Sequence, residues 1–133
     1  MSTSLAFDFG LKYIGVATGQ SITRTASPLT SIRAVNGIPK WEDIDNIVNT
    51  WKPNDIIVGL PLNMDGTEQP MSQKARKFSQ RLAHRYKPIK VHLEDERLTS
   101  WEAKNNINGK SSDLVSLNAK AAAIILQQWL EYN

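Results

Sequence analysis

The chain alternates between apolar runs of two kinds, and their spacing predicts most of its elements. Residues 5–9 and 14–18 read as two strands joined by the short connection Gly10-Leu11-Lys12-Tyr13. A third strand is expected within 22–30, ending near Pro28, and the Asn36-Gly37 and Pro39 signals assign 31–40 to a loop. Trp41, Ile44, Ile47, Val48 and Trp51 recur at helical spacing, and that helix must stop before Pro53. Asp55 to Leu60 is a short, continuous apolar run of the sort buried on both faces of a sheet. After a polar loop from Pro61 to Pro70, Met71, Ala75, Phe78 and Leu82 form the apolar stripe of a second helix. Ile89, Val91 and Leu93 then alternate with polar residues as a fifth strand. Thr99 to Glu102 has capping-box spacing, 105–113 reads as a mobile connection, and a last helix covers about Leu117 to Leu130. The order βββαβαβαα predicts an α/β fold, with a five-stranded mixed sheet and helices on both faces.

One position breaks the first strand's pattern. Asp8 shares a face with Ala6 and Gly10, while Leu5, Phe7 and Phe9 share the other. A lone carboxylate in a buried strand costs several kcal/mol unless it is paired. The small residues on its face leave open space above it. A second acidic cluster, Glu94-Asp95-Glu96-Arg97, follows the fifth strand, and in a sheet of this order the two strand ends can approach each other. Carboxylates converging from different strands need a cation between them, and hard oxygen donors favour Mg²⁺ or Mn²⁺. Such a centre can cleave a phosphodiester.

Bulk properties narrow the partners. The chain has 133 residues and 41% hydrophobic content, enough to form one domain over 1–133 with its own core. Without cysteine it makes no disulfide and no thiolate metal site. No apolar run approaches the length of a membrane span, and the first residues lack a signal-peptide pattern, so a cytoplasmic location without membrane association is expected. The net charge is only +3, but no acid occurs between Glu68 and Glu94. That interval holds Lys74, Lys77, Arg81 and Arg85 off the second helix's apolar stripe, a basic surface suited to a phosphate backbone. A solvated helix face is the competing reading. His84 and His92 are expected at the surface, Trp41 and Trp51 in the core, and Trp101 and Trp129 in helix packing.

Four segments carry a family resemblance. FDFGLKYIGVATGQ, IIVGLPLNMDGTEQP, DERLTSWEA and AKAAAIILQQWL resemble, in order, the YqgF/RuvX family from about residue 4 to residue 131. The resemblance implies an RNase H-like fold. It also implies a nuclease maturing the 5′ end of the small-subunit (16S) ribosomal RNA precursor, within a pre-ribosomal particle. An older assignment from the same resemblance is Holliday-junction resolvase acting on branched DNA. Either a monomer or a weak homodimer is expected. Asp8 matches the family's metal-binding aspartate, and Asp95 and Glu96 match the acidic pair of its DER motif. Strand alternation sends those two to opposite faces, and the sequence does not decide which points inward. Arg97 matches the motif's arginine, a phosphate contact or an acid-fixing group. Gly59, Leu60 and Pro61 match the loop beside the site, with Gly10 shaping the hairpin next to it. Asp65 and Glu68, in the loop that follows, are secondary candidates. The departure is Asn118, which stands where the family places an aspartate before the last helix's alanine-rich stretch; Asp113 lies five residues upstream. An amide can ligate a cation or orient a water but brings no charge, so a weaker metal site or an RNA-binding assembly factor with little catalysis is the alternative to full activity.

Overall fold

In the computed structural model of the chain, residues 2–96 and 113–133 are described, with backbone alone for 113–116. The alternation in the first strand places Leu5 and Phe7 in one core and Ala6 in another, so that strand must lie mid-sheet. The elements run β1 (Thr3–Asp8), β2 (Tyr13–Gln20), β3 (Thr25–Val35), β4 (Ile38–Pro39), α1 (Trp41–Trp51), β5 (Asp55–Leu60), α2 (Pro70–Arg85), β6 (Lys90–Asp95) and α3 (Asp113–Tyr132). The sheet order is β4-β3-β2-β1-β5-β6. The pairs β1–β2, β2–β3 and β3–β4 are antiparallel, whereas β1–β5 and β5–β6 are parallel.

The sheet thus has six strands where the sequence predicts five. The segment 31–40 is strand, turn and strand, because β3 does not stop at Pro28. Its register against β2 shifts between Val16 and Ala17, so Thr30 and Pro28 face consecutive β2 residues and Leu29 bulges out. β4 pairs only with Ala34 and Val35, so Pro28 lies on a sheet edge where a missing N–H costs little. Asn36 (φ 51°) and Gly37 (φ 80°) make the two-residue turn into β4. The helix expected from Thr99, the connection through residues 105–112, Trp101 and Arg97 lie outside the described residues.

One core layer joins Leu5, Phe7, Ile56 and Val58 to Ile44 and Val48 of α1 and Phe78 and Leu82 of α2. The other joins Ala6, Ala17 and Ile57 to Ala122, Ile125, Leu126 and Leu130 of α3. Small β-strand side chains on that face let α3 approach closely. No helix of the described residues is long and apolar enough to cross a membrane.

An ion pair locks α1 to α2. Arg85 donates two hydrogen bonds to the Asp45 carboxylate, at 2.8 and 2.7 Å, and the Tyr86 hydroxyl donates a third at 2.7 Å. The bonds from Arg85 and then Tyr86 hold the Asp45 carboxyl at about 2, below its ordinary 3.8. Burial, and then the bond to Asp45, push the Tyr86 phenol upward. A depressed carboxylate stabilises the fold above its ordinary value, and that gain disappears as the pH falls from about 4 to about 2. The Asp45 side chain is 32% exposed and Arg85 43%. Water and salt therefore screen the pair strongly. Asp45→Asn is expected to lower stability measurably at pH 7 and far less at pH 2, as chemical denaturation at the two pH values will show.

Candidate active site

The side chains that can do chemistry gather at the carboxyl ends of β1, β5 and β6. Asp8 is two residues past Ala6 on β1, so its half-buried carboxylate faces α3. On β5, Ile57 packs on α3, and Gly59 follows on the same face. On β6, the His92 ring lies 5.1 Å from Trp129 and Glu94 accepts a hydrogen bond from Gln128, both residues of α3. That α3-facing series continues to Glu96. The Glu96 amide donates to the Leu60 carbonyl at 3.2 Å, carrying strand pairing one residue beyond β6. Val91 and Leu93 pack toward α1 and α2, and alternation directs Asp95 to that opposite face.

Of the two DER acids, Glu96 is therefore the one on Asp8's face. Its side chain is folded inward, leaving the residue 7% exposed, and rests on Gly59, where any Cβ would overlap the carboxylate. In the parallel register Gly59 is one step beyond the Phe7–Val58 pair, beside Asp8. The Glu96 carboxylate thus sits over the strand adjoining Asp8's own, about 4.8 Å away in the sheet plane.

The other side of Asp8 is built the same way. Gly15 is its antiparallel partner, and a Cβ there would overlap the main-chain carbonyl of Asn118. α3 begins upstream, at Asp113, and brings half-buried Asn118 down onto β2 next to the aspartate. Asp8 lies between two glycine floors, one roofed by Asn118 and the other by Glu96. The glycines are legible in the sequence; that both are occupied by opposing elements is not. Among the described residues no group of three or more aspartates, glutamates and histidines is arranged to hold an ion. Asp8 and Glu96 are the acids that flank Gly59 on this face, and the Asn118 main chain lies against Gly15 on the other side of Asp8.

Other expected residues fall elsewhere. Lys74, Lys77, Arg81 and Arg85 are exposed on α2, but α2 packs on the sheet face opposite α3, so this basic surface does not stand over the acids. Arg85 is engaged with Asp45. Gly10 is required by the β1–β2 turn, where a Cβ would overlap the Tyr13 carbonyl. Pro61 ends β5, and its carbonyl accepts a hydrogen bond from buried Ser72, tying the loop to α2. Asp65 accepts from the Thr67 amide at 3.0 Å and Glu68 pairs with Arg76 at 2.7 Å, both within the exposed loop after β5. His92 pairs with Asp55 at 2.9 Å, His84 is exposed, and Trp41 and Trp51 pack against the α1–α2 core. Gln128, which sequence reasoning did not single out, bonds both Glu94 and the Asp95 carbonyl and so fixes the end of β6.

This fold is that of the RuvC-type, RNase H-like resolvases. A structure described as Thermus thermophilus RuvC in complex with Holliday junction substrate superposes with a TM-score of 0.56 at 13% identity, covering 99% of this chain and 95% of that one. The yeast mitochondrial Holliday junction resolvase Ydc2 gives 0.51 at 10% identity, covering 97% and 78%. The family model RuvX, described as Holliday junction resolvase, matches residues 2–132. The chain belongs to the RuvX family and, with it, to the nucleases. A relative in Pectobacterium carotovorum is 50% identical over 97% of this chain and 95% of its own, and one in Haemophilus influenzae is 49% identical over 98% and 96%. Both carry the name "Putative pre-16S rRNA nuclease".

Proposed function

We propose that the chain is a single-domain, divalent-metal-dependent nuclease of the cytoplasm that hydrolyses phosphodiester bonds at the 5′ end of 16S ribosomal RNA precursor. The observation that carries this reading is the pairing of Asp8 and Glu96 on one sheet face across Gly59. Two carboxylates so placed repel each other, and a small hard cation relieves that repulsion; all the available donors are oxygens suited to Mg²⁺ or Mn²⁺. Asp8 and Glu96 would hold the ion, with Asn118 completing the set and Asp95 fixed on the far face. Bound there, the ion would supply a water of lowered pKa and neutralise charge on the phosphate. The chain's own part is to aim two carboxylates at one point and orient a water through the Asn118 amide. Gly15 and Gly59 leave the room that the Asn118 main chain and the Glu96 carboxylate occupy on either side of Asp8.

The names of the Pectobacterium and Haemophilus relatives support RNA as substrate. A second reading, cleavage of four-way DNA junctions, is favoured by the family description and the junction-bound RuvC likeness. Purified protein with Mg²⁺, Mn²⁺ or chelator, offered ribosomal precursor RNA and a four-way junction, separates the two. Cutting of RNA alone supports the first reading, and cutting of the junction alone replaces it with the second.

Asn118 sets the strength of the site. An aspartate there adds a full negative charge to the donor set, and cation affinity follows ligand charge. Asn118→Asp is expected to lower the Mg²⁺ concentration for half-maximal cleavage by about tenfold. Unchanged metal dependence, in cleavage and in Mg²⁺-induced thermal stabilisation, would place Asn118 outside the metal's reach.

A further inference from the structure

We propose that the exposed face of α2 is an anchoring site for a nucleic-acid phosphate backbone, lying on the opposite side of the sheet from Asp8 and Glu96. It deepens the nuclease reading by separating where substrate is held from where it is cut. Lys74, Lys77 and Arg81 are exposed and recur at i, i+3 and i+7, so they form one row about 10 Å long. Neighbouring cations are already engaged, Arg76 with Glu68 and Arg85 with Asp45. Among the described residues no ion pair reaches Lys74, Lys77 or Arg81. Like charges at these spacings repel one another along the helix, so the row opposes helix stability and favours an external anion.

The row lies along a groove rather than a flat surface. A cavity of about 500 Å³ is lined by Trp41, Lys77, Gln80, Arg81, His84 and Arg85. Its floor is rigid: Trp41 stacks on Phe78 at 5.9 Å, and the Arg85 guanidinium lies 5.3 Å from the Trp41 ring. Arg85, clamped by Asp45, belongs to this floor and leaves phosphate contact to the other three cations. A second cavity, of about 210 Å³, shares Lys77 and Arg81 with the first and adds Lys74 and Phe9. Phe9 is the residue after Asp8, so the groove leads from the basic row to the end of β1 that carries the acid. A strand held on α2 reaches the acids by passing over Phe9 at the sheet's carboxyl edge.

A sequence of repeated, evenly charged groups suits this row, and one strand of RNA or DNA supplies it equally. The test uses the full wild-type chain in chelator, so that nothing is cut. Fluorescence anisotropy follows a duplex of about 20 base pairs, as RNA and as DNA, between roughly 50 and 300 mM KCl. The triple variant Lys74→Gln, Lys77→Gln, Arg81→Gln is expected to bind at least about tenfold more weakly near 100 mM, with the salt slope reduced by about 2–3. The charge-keeping variant Lys74→Arg, Lys77→Arg, Arg81→Lys is expected to bind as wild type does. Loss with either duplex supports the proposal, RNA-only loss identifying RNA as the ligand. It is overturned by wild-type binding and slope in the glutamine variant, by equal loss in the charge-keeping one, or by a wild type that binds poly-glutamate but neither duplex. None of these readouts involves cleavage, so failure of the metal-nuclease reading leaves the result intact.

Discussion

Asp8→Asn is expected to abolish metal-dependent cleavage while leaving the fold and nucleic-acid binding in place. The substitution keeps the side chain's shape and removes only its charge. In the proposed site the charge is what matters: Glu96 lies across Gly59 from Asp8, and a cation held between them would lose half of its compensating charge. Loss of one electrostatic partner of the reacting group lowers turnover by on the order of 10²–10³. Stability should move little, by about 1 kcal/mol at most, since neutralising one of two neighbouring carboxylates offsets whatever interaction the charge made. The informative result is the combination of an unchanged melting temperature in chelator, unchanged duplex binding and lost cleavage in Mg²⁺. A variant that cuts at the wild-type rate would remove Asp8 from the reaction and the proposed mechanism with it.

Gly15→Ala is expected to be the most damaging single-methyl change in the described structure. The new Cβ would overlap the main-chain carbonyl of Asn118 and come within 2.9 Å of the Ala119 amide nitrogen. Backbone cannot swing aside as a side-chain tip can, so α3 must lift from β2. Overpacking of this kind costs about 3 kcal/mol, or roughly 10 °C in melting temperature for a domain of this size. Gly19→Ala on the same strand supplies the contrast. There the nearest atoms are the Leu126 and Leu130 methyls, at 2.9 and 3.0 Å, together with the Thr25 carbonyl at 3.0 Å. Leucine tips can give, and the cost should be less than half as large. Gly15→Ala also moves Asn118 away from Asp8, so cleavage should fall at temperatures where the variant is still folded. Equal melting temperatures for the two variants would mean that α3 does not bear on Gly15.

Several parts of this architecture are local and therefore written in residue order. Strand alternation alone places Asp8 opposite Leu5 and Phe7, and helical spacing alone defines α1 from Trp41 to Trp51 and the stripe of α2. The run Asp55–Leu60 is apolar without alternation because both its faces are covered, by α1 and α2 on one side and α3 on the other. The four segments that hold Asp8, Gly59, the DER acids and the alanine-rich stretch of the last helix suffice to identify the family, since they are short and in fixed order, even with Asn118 departing from its pattern.

What depended on packing partners distant in sequence was not legible in this way. Pro28 reads as a strand end, but whether its missing N–H matters depends on how far β4 extends along β3. Asp95 and Glu96 are equivalent by residue type. Only the continuation of pairing to Leu60, and the vacancy above Gly59, decide that Glu96 turns toward Asp8. Arg85 looks like its basic neighbours until Asp45, 40 residues upstream, claims it. The basic helix and the acids are likewise adjacent in reasoning from charge and separate in space, because α2 and α3 cover opposite faces of one sheet. Periodicity states which side of an element is buried; the order and direction of the strands state what that side meets.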